Sequence, residues 1–240
     1  MTENACQAGI KEPGMSVEAY VKNKQAAGSN YDAALQKAAG LFVAHGMDDI
    51  IRKTGCGADG DYLYTELLCR SFRISRRDGK AEQLCSDGIK PAGYDTSMIL
   101  YDLLAFSDEN ARASGDYIPL QNHSKVQNVH SYAGEGAFEK YDRIFTGHCD
   151  KLERVCRDLG GVPFGKGDVS LLIPYWRDLK IGLSFWDADE EFSPSLNLFY
   201  DTNAGQYMHY ETMWYSSDDF LTEIADKVKQ NRVGGHPLIE

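Results

Sequence analysis

No stretch of this chain is apolar enough to cross a bilayer. The longest candidate, residues 97–106, is short and carries Asp102, whereas a spanning helix needs about 20 mostly apolar residues. Basic residues are also scarce. The 240-residue chain has 25 Lys and Arg against 36 Asp and Glu, a formal charge of −11. A surface of that sign opposes binding to nucleic-acid backbones or anionic lipid, so neither nucleic acid nor membrane is expected as a partner. Proline and glycine, at 7 and 23 residues, are far below the levels of collagenous or low-complexity chains. The six cysteines (Cys6, Cys56, Cys69, Cys85, Cys149 and Cys156) include no C-x-x-C pair, which removes the usual zinc, iron–sulfur and dithiol motifs. The first residues lack a basic start followed by an apolar run, so the sequence predicts a cytoplasmic protein with free thiols.

What is present is amphipathic patterning. Residues 1–28 have no periodicity and are expected to form a loose arm, 29–232 a single domain, and 233–240 a tail. Tyr31, Ala34, Leu35, Ala38, Leu41 and Phe42 form one stripe of a helix ending near His45, and a short second helix is expected over 48–53. Residues 62–68 and 69–75 read as extended, followed by the turn signal Asp78-Gly79. A buried helix is expected over 95–106, long irregular surface over 107–134, and one long helix from Glu135 to Leu159 with His148 on its apolar stripe. Three strands (169–173, 181–186, 196–200) and a closing helix over 210–230 complete an α+β fold. It would have a mostly antiparallel sheet of about five strands packed with four or five helices.

Most catalytic motifs fail on inspection. Residues 160–167 approach a phosphate-binding loop but place Gly167 where a magnesium-binding hydroxyl is required, and they join a helix to a strand. The acidic run Asp187-Ala188-Asp189-Glu190-Glu191 starts like a calcium loop but lacks its glycine and distal glutamate. His209 stands among aromatics beside Glu211, a setting suited to metal ligation or general-base work. Arg70, Arg73, Arg76, Arg77 and Lys80 oppose the global charge. Arg73 and Arg77, on one strand face, would meet ligand carboxylates or phosphates, or else guard a sheet edge.

The stretch around Trp186, Asp189, Glu190 or Glu191, Phe192, Pro194, Ser195, Leu198, Phe199 and Asp201, with Glu211 opening the last helix, resembles the domain of unknown function 3786 family. An inserted Tyr200 and His209 itself depart from the family pattern. The resemblance implies the company of anaerobic bacteria and archaea, with relatives sometimes joined to a four-cysteine iron–sulfur module that this chain lacks, and hence one-carbon, corrinoid or tetrapyrrole metabolism. It brings no catalytic residues with it.

Three functional expectations follow. The first is a small-molecule or cofactor-binding protein, its ligand a tetrapyrrole such as haem or a corrinoid. Its pocket would be lined by Trp186, Phe192, Tyr207, Tyr210 and Trp214, with His209 as axial ligand, Glu211 beside it and Arg73 or Arg77 on carboxylates. The second is an acid–base or divalent-metal enzyme using Asp189, Glu190, Asp201 and Glu211, with His209 as a further metal ligand. The third is a partner of a redox or methyltransfer complex, contacted through 107–134. A plainer reading puts Leu198 and Phe199 in the core.

Overall fold

In the computed structural model, which describes residues 28–123 and 138–230, the chain is α+β with two antiparallel sheets. Two helices come first, α1 (Gly28–Ala44) and α2 (Met47–Thr54), the latter closed by Gly55 in the left-handed conformation. A meander follows: β1 (Gly57–Ala58), β2 (Tyr62–Leu67), β3 (Arg70–Ser75), β4 (Ala81–Cys85) and β5 (Gly88–Pro91), paired in that order. Helix α3 (Tyr94–Tyr101) runs into a π-helical turn at Asp102–Phe106. After a loop come β6 (Tyr117–Pro119), α4 (Glu139–Phe145), α5 (Cys149–Asp158), β7 (Val162–Pro163), β8 (Val169–Trp176), β9 (Leu179–Trp186), β10 (Ser195–Asp201) and the closing helix α6 (Tyr210–Gln230). The second sheet has the order β6-β10-β9-β8-β7.

The expected class is what the structure shows, with the strands divided between two sheets. The expected long helix over 135–159 is instead two. Gly147 adopts φ +70°, breaking the backbone after Phe145, and its N–H donates to the Asp187 carboxylate at 2.9 Å. His148, expected on the apolar stripe of that helix, therefore precedes α5 and is half-buried. The run 107–134 is not wholly irregular, since β6 adds to the edge of β10. Residues 124–134, the arm 1–27 and the tail lie outside the described residues.

Alternation explains the central hairpin. Ile181, Leu183 and Phe185 of β9 are fully buried on one face. On the other face Gly182 lies under the Phe164 ring, where a Cβ would come within 2.7 Å. Phe220, Leu221, Ile224 and Val228 of α6 are likewise fully buried, the Phe220 ring meeting Tyr175 edge-on. Buried side chains from both sheets and the helices form one hydrophobic cluster, each large one contributing about 1.5–3 kcal/mol. Polar ties cross this cluster. Arg70 on β3 pairs with Asp219 of α6, which also accepts from Thr96 at 2.9 Å. The Tyr200 hydroxyl, fully buried, bonds Ser216 at 2.7 Å and Ser217 at 2.9 Å.

Candidate functional site

A strand rises about 3.3 Å per residue, and this spacing decides which candidates can meet. Trp186 pairs with Ser195 at one end of the β9–β10 hairpin, while Asp201 closes the far end of β10, about 20 Å away by that spacing. The acidic bend and Asp201 therefore cannot share an ion. Asp201 is fully buried and already saturated. It accepts from the backbone of Ser114 (2.9 Å), Gly115 (2.8 Å) and Asn203 (2.8 Å) and from the Ser114 hydroxyl. Burial alone would raise its pKa, but these donors bring it below the ordinary carboxylate value. Its task is to hold the loop before β6. Asp189 accepts from the N–H groups of Glu191 and Phe192 and so shapes the bend, beside exposed Glu190. Among the described residues no three His, Cys, Asp or Glu side chains gather as a metal site, and His209, Asp189, Glu190 and Asp201 are not brought together.

The expected aromatic pocket is also dispersed. Tyr207 is fully buried and packs edge-on against Trp176. Trp214 stacks on Phe138 at 5.9 Å, with Tyr210 edge-on to it. Trp186 and Phe192 stay at the hairpin end, 47% and 69% exposed. Arg73 is committed to Glu82 at 2.7 Å and lies over the Tyr62 ring, while Arg77 sits exposed in the turn after β3. Glu211 is not the partner of His209; it accepts from the Tyr215 hydroxyl at 2.7 Å.

Two arrangements remain with chemical content. The first is an open hollow of about 530 Å³ beside Trp186, whose other walls are Cys149, Asp168, Asp187, Ala188 and Asp189. Breaking the helix at Gly147 seats Asp187 there. This carboxylate accepts from Gly147 and Ala188 and faces the Cys149 thiol at 3.5 Å, while its own N–H donates to Asp168 at 2.7 Å. Burial, then the charge of Asp187, push the Cys149 thiol up to about 11, so it stays protonated and is a poor nucleophile or metal ligand near neutrality. A haem would bring its propionates against three aspartates, and no imidazole lines the hollow to ligate it or a corrinoid. The residues present do not fit a tetrapyrrole.

The second arrangement pairs Asp102 with His209. Asp102, at the π-helical turn, is 7% exposed and accepts from the His209 backbone (2.9 Å), His209 Nδ1 (3.0 Å) and the Thr212 hydroxyl (2.6 Å). It caps α6 from a distant segment and fixes the Nδ1–H tautomer, leaving Nε2 on a side chain 68% exposed. Phe106 lies edge-on to the imidazole at 5.7 Å. Sequence reasoning placed Asp102 inside an apolar run without assigning it a role. An aspartate buried there needs donors to offset desolvation, and that was the available signal.

Among the described residues no helix is long and apolar enough to cross a membrane. A family model described as "Domain of unknown function (DUF3786)" matches residues 47–222. No curated protein and no solved structure matches the chain.

Proposed function

The chain belongs to the DUF3786 family, and we propose that it is a small-molecule-binding protein whose ligand enters the hollow beside Trp186. The observation that carries this reading is a half-exposed indole that lines one hollow together with three aspartates at the hairpin end. An indole face attracts cations by about 0.5–2 kcal/mol, and the aspartates add to that attraction. The fitting ligand is flat, partly apolar and positively charged, such as an aromatic amine or amidine. This replaces the anionic tetrapyrrole expected from the family resemblance. Isothermal titration with benzamidine, a flat cation, and with benzoate, its anionic counterpart, tests the proposal. Benzamidine is expected to bind in preference, and Trp186→Ala to weaken it by about twofold to thirtyfold. Equal or tighter benzoate binding would refute it.

One observation favours a second reading, acid–base catalysis at His209. The Asp102 carboxylate accepts from Nδ1 of the imidazole and so orients the ring with Nε2 outward. It replaces the expected set of Asp189, Glu190, Asp201 and Glu211, which the fold disperses. A p-nitrophenyl ester serves as probe. The reading requires His209→Gln and Asp102→Asn each to slow hydrolysis; a wild-type rate no greater than that of free imidazole rejects it.

A further inference from the structure

At the seam between the two sheets a second hollow, of about 350 Å³, opens beneath the β8–β9 turn. That volume is near the lower end of small-molecule sites. The seam is stiff: the Leu68 N–H donates to the Tyr175 carbonyl at 2.8 Å, and Trp176 Nε1 donates to the Thr65 hydroxyl at 3.1 Å. One wall is the end of α2 at Gly55 and Cys56; another is β2 at Tyr64 and Glu66; the turn contributes Trp176 and Arg177.

Arg177 is the informative residue. Trp176 pairs with Leu179, so Arg177 and Asp178 form a two-residue turn in which Arg177 holds φ +53°, a left-handed conformation suited to glycine or asparagine. The side chain that occupies this strained position lies over the Trp176 ring at 5.2 Å. The neighbouring Asp178 carboxylate accepts from the Ala113 N–H at 3.1 Å and feels the Arg177 charge without forming a close ion pair with it. Among the described residues no carboxylate lies within ion-pair distance of Arg177, and no cation lies within that distance of Glu66. Arg177 and Glu66, opposite in charge, thus line one hollow without forming an ion pair with each other.

We propose that the seam hollow binds a small zwitterion of the α-amino-acid class, its carboxylate on Arg177 and its ammonium on Glu66. A planar guanidinium matches a carboxylate through two parallel hydrogen bonds. A ligand without net charge enters a chain of net charge −11 unopposed, whereas a simple anion is repelled. The Tyr64 and Trp176 rings suit an apolar or aromatic side chain. This site shares no residue with the hollow beside Trp186, so its failure and that of the first proposal are separate outcomes.

Calorimetric titration of the full chain with L-phenylalanine and L-leucine tests it, with phenethylamine and 3-phenylpropionate as analogues lacking one charge each. At least one amino acid is expected to bind, and each truncated analogue at least about tenfold more weakly than L-phenylalanine. Arg177→Gly relieves the backbone strain, so the variant is expected to melt a few degrees higher and yet lose amino-acid binding. Glu66→Gln is expected to weaken the amino acid and leave 3-phenylpropionate unchanged. No binding of either amino acid, undiminished binding by Arg177→Gly, or 3-phenylpropionate binding as tightly as L-phenylalanine would overturn the proposal.

Discussion

Replacing Asp102 by alanine removes the acceptor for the His209 N–H, the His209 ring and the Thr212 hydroxyl in one step. Losing an N-terminal cap costs about 1 kcal/mol. The Thr212 hydroxyl, in a residue 5% exposed, is left without its acceptor, which costs a further 1–3 kcal/mol or so. Removing a negative charge from the start of α6 adds about 0.5 kcal/mol. Relief of the desolvation of the buried carboxylate works in the other direction. The expected net loss is about 2–3 kcal/mol, measured by urea unfolding at pH 7. Asp102→Asn keeps one acceptor oxygen and is expected to lose about half as much. Nitrogen-15 spectra of the imidazole should show the Nδ1–H tautomer in the wild type and a mixture in both variants. A loss below about 0.5 kcal/mol for the alanine variant, with an unchanged tautomer, would refute the assignment of Asp102 as both cap and orienting group.

Two further outcomes concern packing and pH. A methyl group at Gly182 would stand 2.7 Å from the Phe164 ring and 3.1 Å from Phe199 Cβ, so Gly182→Ala is expected to lower stability by about 1–3 kcal/mol in the same urea assay. Asp142 of α4 is raised from 3.8 to about 6, by burial and then by Glu139. The folded state therefore binds this proton more tightly than the unfolded chain. Stability falls as pH rises from about 4 to 6 and stays lowered at neutrality. Asp142→Asn removes the penalty and should stabilise by about 1 kcal/mol at pH 7.5, allowing for partial solvation, with no gain at pH 4. Equal gains at both pH values would show that the carboxyl is not perturbed.

Local periodicity made the hairpin and the closing helix legible, because Ile181, Leu183 and Phe185 alternate and the buried positions of α6 recur at helical spacing. The junction of β2 and β3 was not legible as a turn. Leu68 and Cys69 both adopt positive φ (48° and 58°) without a glycine or asparagine to signal it. Leu68 is fixed there by burial and by its hydrogen bond to Tyr175 of the other sheet. The helix break at Gly147 escaped for a similar reason: a single glycine is tolerated in a helix, and the carboxylate that stabilises the break lies forty residues on, at Asp187. The site residues were partly legible. Trp186, Asp189 and His209 are at surfaces with chemical content, but their neighbours Cys149, Asp168 and Asp102 come from remote segments that no local pattern connects. Aromatic and acidic residues close in sequence were separated by the length of β10 and by the turn into α6.

The chain has three tryptophans, in three different settings: Trp176 buried under Arg177, Trp214 stacked on Phe138, and Trp186 half-exposed in the hollow it shares with the aspartates. Each gives its own indole N–H resonance, so a proton–nitrogen correlation spectrum recorded during titration with benzamidine locates the ligand directly. The Trp186 indole and the Ala188 amide are expected to shift together and saturably while the Trp176 and Trp214 resonances stay in place. Movement of Trp176 or Trp214 with Trp186 unmoved would contradict the placement of the ligand at the hairpin end.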